Sequence, residues 1–150
     1  MDPSAVLQQG REILDPLLTA HGFHFELGDS DVGSGGRFAR GAYVRGDRRL
    51  SFSMRFALGH VQYSIGAQTL PHEEFMRVVA QDSEPQYPGF SSDPLDGFRH
   101  LHADLLHFGR VFLEGSDREF AAVATRAAET TPPSGFKRLS TSEGSRRADS

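Results

Sequence analysis

Apolar residues recur at helical spacing over the first twenty positions of the chain. The pattern ends before Gly22, a residue type that commonly stops helices, and Ser4 is suited to cap its start. Pro16 lies inside the pattern, so it either kinks one helix or opens a second, short helix that Asp15 caps. The sequence predicts an N-terminal helix whose apolar stripe is formed by Val6, Leu7, Ile13, Leu14, Leu17 and Leu18.

The next part of the chain alternates apolar and polar residues and predicts an antiparallel meander of about four strands. A Gly-rich stretch at residues 28–36 interrupts the alternation and is expected to form a loop. The clearest turn signal is Gly59-His60, where a two-residue turn would set Leu58 opposite Val61 and Phe56 opposite Tyr63. In that register every apolar residue of both strands falls on one face of the sheet.

The turn at Gly46-Asp47 is compatible with two registers. A two-residue turn places Tyr43 with Leu50 on the buried face. A three-residue turn, which we prefer, places Phe38, Ala42 and Val44 on the buried face. It also places Arg40 there, which is a misfit because the residue is charged.

Three helices are predicted after the strands, and they should cover the apolar face of the sheet. The first starts near Thr69 and Pro71, and the longest runs from Asp93-Pro94 to about Leu113. The last begins at a capping box, Ser116-Asp117-Arg118-Glu119, and ends near Glu129. The predicted fold class is α+β, with one domain over residues 1–129 and a disordered tail over residues 130–150.

Composition removes several functional classes. The chain of 150 residues contains no Cys, which excludes disulfides, thiolate metal sites and Cys nucleophiles. A net charge of −4 argues against broad binding to nucleic acid or anionic lipid, and no apolar run approaches the ~20 residues that span a bilayer. No signal-peptide pattern opens the sequence, so we expect a cytoplasmic protein without a membrane partner. Lys137 is the only Lys among many Arg, a bias typical of a GC-rich bacterial genome.

Histidines of the long predicted helix are the first candidates for chemistry. At about 100° per residue, His100, Asp104 and His107 fall on one strip, and imidazoles with a carboxylate can bind zinc, iron or manganese. The same strip is typical of the wet edge of an amphipathic helix, which is the interpretation that we favour. His102 projects into the apolar arc, either as a hydrogen-bonded core histidine or as a group in a ligand pocket.

The polar side of the predicted sheet is the second candidate. Its residues form a flat, mostly uncharged surface that is either solvated or a docking surface for another protein: Ser53, Arg55, Gln62, Ser64 and Gln68. No phosphate-binding loop, dinucleotide fingerprint or nucleophile elbow occurs, and no cofactor is predicted.

Three short segments resemble small bacterial families of unknown function. They are Ile13-Leu14-Asp15-Pro16-Leu17-Leu18, His21-Gly22-Phe23 and Gly36-Arg37-Phe38-Ala39-Arg40, within a similarity that covers roughly residues 4 to 67. Some of those families are proposed to be immunity proteins that neutralise polymorphic toxins. The resemblance implies a leading helix, an antiparallel sheet and no established catalytic residues.

The sequence is most consistent with a non-enzymatic, immunity-like module that binds a toxin partner. An acidic protein of that kind commonly meets a basic toxin, so a cluster of surface Asp and Glu is expected to support this hypothesis. The alternatives are a metal-binding protein or metal-dependent enzyme that uses His100, Asp104 and His107, and a small-ligand binder with a Phe-lined pocket.

Overall fold

The computed structural model describes residues 2–33, 36–89 and 92–130 and shows an α+β fold, as predicted. Five consecutive strands form one antiparallel sheet in the order of the sequence. The elements are α1 (Pro3–Ala20), β1 (His24–Gly33), β2 (Gly36–Arg45), β3 (Arg48–Met54), β4 (Leu58–Ile65), β5 (Gln68–Pro71), α2 (His72–Val79), α3 (Asp96–Phe108), α4 (Arg110–Leu113) and α5 (Asp117–Thr130). Apart from Thr130, the predicted tail lies outside the described residues.

Helix α1 continues through Pro16 without a second helix. Its cap is Asp2, whose Oδ1 accepts a hydrogen bond from the amide of Ser4 at 3.3 Å, and not Ser4 itself. Pro3 occupies the first turn, where its missing N–H costs nothing. Gly22 ends the segment with a φ of 85°, a backbone conformation that favours glycine.

The predicted turn at Gly59-His60 is wrong. Met54 pairs with Leu58, so the chain turns at residues 55–57, and a bulge sets His60 and Val61 against the single residue Phe52. Leu58 and Val61 are both buried and lie three positions apart, a spacing that fits a two-residue turn and a bulge equally well. The structure uses the bulge, in which His60 has a φ of 52°.

The register that we preferred for the preceding hairpin is also wrong. Arg45 pairs with Arg48 across a two-residue turn, which places Tyr43 opposite Leu50 in the core. Gly46 supports this turn with a φ of 59°. The stretch predicted as a Gly-rich loop is mostly strand, because β1 continues to Gly33 and β2 begins at Gly36.

All the described helices contribute buried residues to a single core on one side of the sheet. The long predicted helix breaks at Gly109, where an added Cβ would lie 2.6 Å from the carbonyl oxygen of Leu105. The capping box of α5 is confirmed, since Glu119 and Ser116 exchange two hydrogen bonds of 3.0 and 3.1 Å. No helix in the described ranges combines the length and apolarity that crossing a bilayer requires.

Alternate residues of β2, β3 and β4 point away from the core and form a face that none of the described helices covers. We call this surface the open face. Its members are exposed or half-buried: Phe38, Arg40, Arg49, Ser51, Ser53, Gln62 and Ser64.

Candidate functional site

Three polar side chains meet inside the core. The hydroxyl of Tyr63 on β4 lies 2.6 Å from Nδ1 of His72, and Nε2 of that histidine lies 3.0 Å from Oδ2 of Asp104. Their exposed fractions are only 0, 4 and 1%. Buried polar groups are costly unless they are paired, and here each side chain satisfies the next.

Asp104 also fastens the segment between α2 and α3. Its two carboxylate oxygens accept the backbone amides of Gln86 at 2.7 Å and of Tyr87 at 2.9 Å. Burial alone would raise the pKa of Asp104, but the hydrogen bonds from His72 and from these two amides outweigh it and lower the pKa. The carboxyl group is therefore ionised at neutral pH.

The ionised carboxylate determines where the protons of the network lie. A carboxylate only accepts, so Nε2 of His72 carries a proton and donates it to Asp104. Burial, with the nearby charge of Asp104, raises the pKa of Tyr63, which keeps its hydroxyl protonated. The hydroxyl of Tyr63 and Nδ1 of His72 share the remaining hydrogen bond of the network.

This order of hydroxyl, histidine and carboxylate matches the order in hydrolytic triads, but the hydroxyl is enclosed. Tyr63 has no exposed surface, and both ring nitrogens of His72 are committed to internal partners. The network instead ties together β4, α2, α3 and the amides of residues 86 and 87. The network therefore holds in place the residues that form one wall of the adjoining surface cleft.

That adjoining surface is a cleft of about 340 Å³ between β4 and the N-terminus of α2. We call it the β4–α2 cleft. Tyr87 forms one wall, where its hydroxyl donates to the carbonyl of Leu58 at 2.5 Å and its ring meets the His72 ring edge-on at 5.2 Å. Burial raises the pKa of Tyr87 to about 12. The cleft is lined by His60, Val61, Gln62, Pro71, His72, Glu73, Tyr87 and Pro88.

The structure does not assemble the predicted metal strip. Asp104 turns inward to His72, whereas His100 donates to the carbonyl of Pro88 at 3.1 Å and His107 to that of Ala103 at 2.8 Å. Within the described ranges, no three His, Asp or Glu side chains come together as metal ligands would. His102 is half-buried on α3 and does not line the β4–α2 cleft.

The five residues predicted as a docking surface are only partly brought together. Ser53, Gln62 and Ser64 share the open face. Arg55 lies in the adjoining turn, with its guanidinium 5.7 Å from the centroid of the Phe38 ring. Gln68 pairs with the core residue Ile65, so its side chain lies on the core side of the sheet and not on the open face.

The open face is concave and carries arginine. Two depressions of about 240 and 260 Å³ lie side by side on it and share the lining residues Arg40, Ser51 and Phe52. Arg40 lies 4.8 Å from the Phe38 ring, and Arg49 contacts Glu26 at 3.5 Å. Among its described side chains arginine outnumbers acid, so the expected acidic cluster is not on this face.

The network of Tyr63, His72 and Asp104 was missed by the sequence analysis. Alternation marked Tyr63 as a core strand residue, but His72 was not among the candidate residues. One signal was available, because a buried tyrosine hydroxyl requires a partner and histidine can supply it. The sequence does not show which histidine the fold brings near.

A comparison with protein-family models, curated proteins and solved structures finds no match to this chain. Function is therefore inferred from the geometry alone.

Proposed function

We propose that this chain is a non-enzymatic protein-binding module that docks an acidic segment of a partner protein on its open face. The observation that carries the proposal is the cluster of Arg40 and Arg55 around the Phe38 ring, at 4.8 and 5.7 Å, on a concave surface that the described helices leave uncovered.

The residue types of this cluster suit a protein interface. Arginine and aromatic residues are enriched at the centres of interfaces, where they supply most of the binding energy. Phe56 follows Arg55 in the turn after β3, and 77% of its surface is exposed. Burial of an exposed Phe side chain contributes roughly 1.5–3 kcal/mol to association.

The charge of the cluster selects the partner. A planar guanidinium binds carboxylates through two parallel hydrogen bonds, so Arg40 and Arg55 favour Asp and Glu. The serines and Gln62 beside them supply hydrogen-bonding groups for a polar rim. An acidic segment therefore complements this surface better than a basic one.

Toxin neutralisation is the narrower form of the proposal, with the cytoplasm as its compartment. In this form of the proposal, the toxin must present an acidic surface to Arg40 and Arg55. This requirement replaces the earlier expectation that an acidic face of this chain meets a basic toxin.

Affinity capture from a bacterial lysate, with identification by mass spectrometry, tests the proposal when wild type is compared with the double variant Arg55→Ala with Gln62→Ala. Arg118→Ala is the matched control, because Arg118 is an exposed arginine on α5. We expect a stoichiometric partner that the double variant retains at least about tenfold less well, as loss of an interface arginine implies. A synthetic Asp- and Glu-rich peptide, titrated by NMR, gives a defined second probe. Equal retention by wild type and double variant, with no peptide-induced shifts at Arg40 and Arg55, contradicts the proposal.

A further inference from the structure

We infer that the β4–α2 cleft is a binding site for a cationic group, an amine or a guanidinium. The inference does not rest on the proposed function, since its one charged residue, Glu73, lies outside the open face, while His60 and Gln62 border both surfaces. Its lining has one formally charged residue, Glu73, and includes no Arg or Lys among the described residues.

Glu73 is available for a ligand. It stands in the first turn of α2 with an exposed side chain, and it has no ion pair or side-chain hydrogen bond within the described part of the chain. Acids at this position are favoured by the helix dipole. The neighbouring acid, Glu74, does not line the cleft.

Two further polar side chains around Glu73 can accept hydrogen bonds. The amide of Gln62 has no side-chain partner among the described residues. His60 is held by Ser53, whose hydroxyl lies 2.8 Å from Nδ1 of the ring. Nε2 of His60 has no partner among the described residues, so it is open to a ligand.

The bulge in β4 determines where the side chain of His60 lies. A φ of 52° is unfavourable for a residue with a side chain and is found where the surrounding structure requires it. Here the bulge aims His60 toward both the cleft and the open face, because this residue lines a depression on each.

Tyr87 lines the cleft and offers an aromatic ring to a cation. A cation over a tyrosine ring gains about 0.5–2 kcal/mol, and the gain is larger where water is excluded. Two hydrogen bonds hold Tyr87 in place. Its hydroxyl donates to the carbonyl of Leu58, and its backbone amide donates to the carboxylate of Asp104. The buried network thus preorganises the cleft, which reduces the entropy lost on binding.

The shared chemistry of the ligand is its cation, and two sources could present it. One is a free small molecule, since a volume of about 340 Å³ lies within the ~300–1,000 Å³ range of small-ligand sites. The other is an arginine or lysine side chain of another protein. Butylguanidinium represents the first source, and a short neutral peptide with one arginine represents the second.

Titration of the full chain with butylguanidinium, followed by NMR and calorimetry, tests the inference. We expect saturable binding that shifts the amides of Gln62, Glu73 and Tyr87. Butylurea, an uncharged analogue of the same shape, should bind at least about tenfold more weakly, as for the loss of one partly buried ion pair. Tighter binding of the arginine peptide assigns the site to a protein side chain, and equal binding assigns it to a small molecule.

The matched variants are Glu73→Gln and Glu74→Gln, which remove the same charge from adjacent positions. Glu73 is exposed, so its variant should fold with a stability change within about 0.5 kcal/mol. We expect Glu73→Gln to weaken butylguanidinium binding at least about tenfold and Glu74→Gln to change it by no more than about twofold. Equal binding of butylurea, equal binding by Glu73→Gln, or no saturable binding to wild type overturns the inference.

Discussion

Nε2 of His72 lies 3.0 Å from Oδ2 of Asp104, a residue 32 positions later in the chain, and both residues are buried. This contact joins the start of α2 to the middle of α3. Because Asp104 also accepts two backbone amides, one carboxylate holds three separate segments together. The stability of the cleft wall therefore depends on the ionised state of a single acid.

Replacement Asp104→Asn should lower the free energy of unfolding by about 2–4 kcal/mol, because a neutral amide leaves part of this buried network unsatisfied. Denaturant unfolding at neutral pH measures the loss. Asp82→Asn is the control, since Asp82 is exposed, and it should change stability by no more than about 0.5 kcal/mol. An unchanged Asp104→Asn variant would show that the network contributes little.

The same pair has a pH signature. The pKa of Asp104 is lowered in the folded protein, so its ionised form contributes stability above the unfolded value of about 3.9. This contribution is lost as the pH falls through the folded pKa. The stability difference between wild type and Asp104→Asn should therefore narrow below about pH 4. Unfolding curves at several acidic pH values measure it, and a constant difference contradicts the ionised assignment.

Alkaline titration should reveal the burial of the tyrosines. The chain has three, and burial raises the pKa of Tyr43, Tyr63 and Tyr87. A raised folded pKa stabilises the fold below the unfolded value of about 10 and loses that contribution as the pH rises further. Native protein should thus show almost no tyrosinate absorbance at pH 10, where the chain in denaturant is half titrated. Substantial tyrosinate in the native protein at that pH would contradict the structure.

Phe56 distinguishes the two registers of the β3–β4 hairpin. The structure leaves 77% of this side chain exposed, so Phe56→Ser should change the free energy of unfolding by no more than about 0.5 kcal/mol. Phe52→Ala is the comparison, because Phe52 is 2% exposed and its truncation should cost about 3–5 kcal/mol. A loss of several kcal/mol at Phe56 would instead support the turn at Gly59-His60.

Arg48 is the clearest buried cation of the described residues. Its guanidinium donates to the carbonyls of Phe112, at 2.7 Å, and Gly115, and to Asp117 at 3.1 Å. Lysine keeps the charge but lacks the planar fork that reaches these acceptors together. Arg48→Lys should cost about 1–3 kcal/mol in thermal or denaturant unfolding. Arg49→Lys, next to it on the exposed side of the strand, should be neutral.

Local patterns determined much of the fold from the sequence. The helical stripe of α1, the capping box of Ser116 and Glu119 and the alternation of β3 and β4 depend on neighbours only a few residues apart. Those neighbours are present in any conformation that the segment adopts. The α+β class and the positions of most elements follow from them.

The register and the candidate site were decided by tertiary structure. The spacing of Leu58 and Val61 permits a turn or a bulge, and only the packing of β3 against β4 selects the bulge. The strip of His100, Asp104 and His107 was interpreted as the wet edge of a helix, but Asp104 is buried and finds its partner in His72 on α2. Periodicity shows which side of an element a residue occupies. It does not show which distant residue will lie opposite, because that depends on how all the elements pack at once.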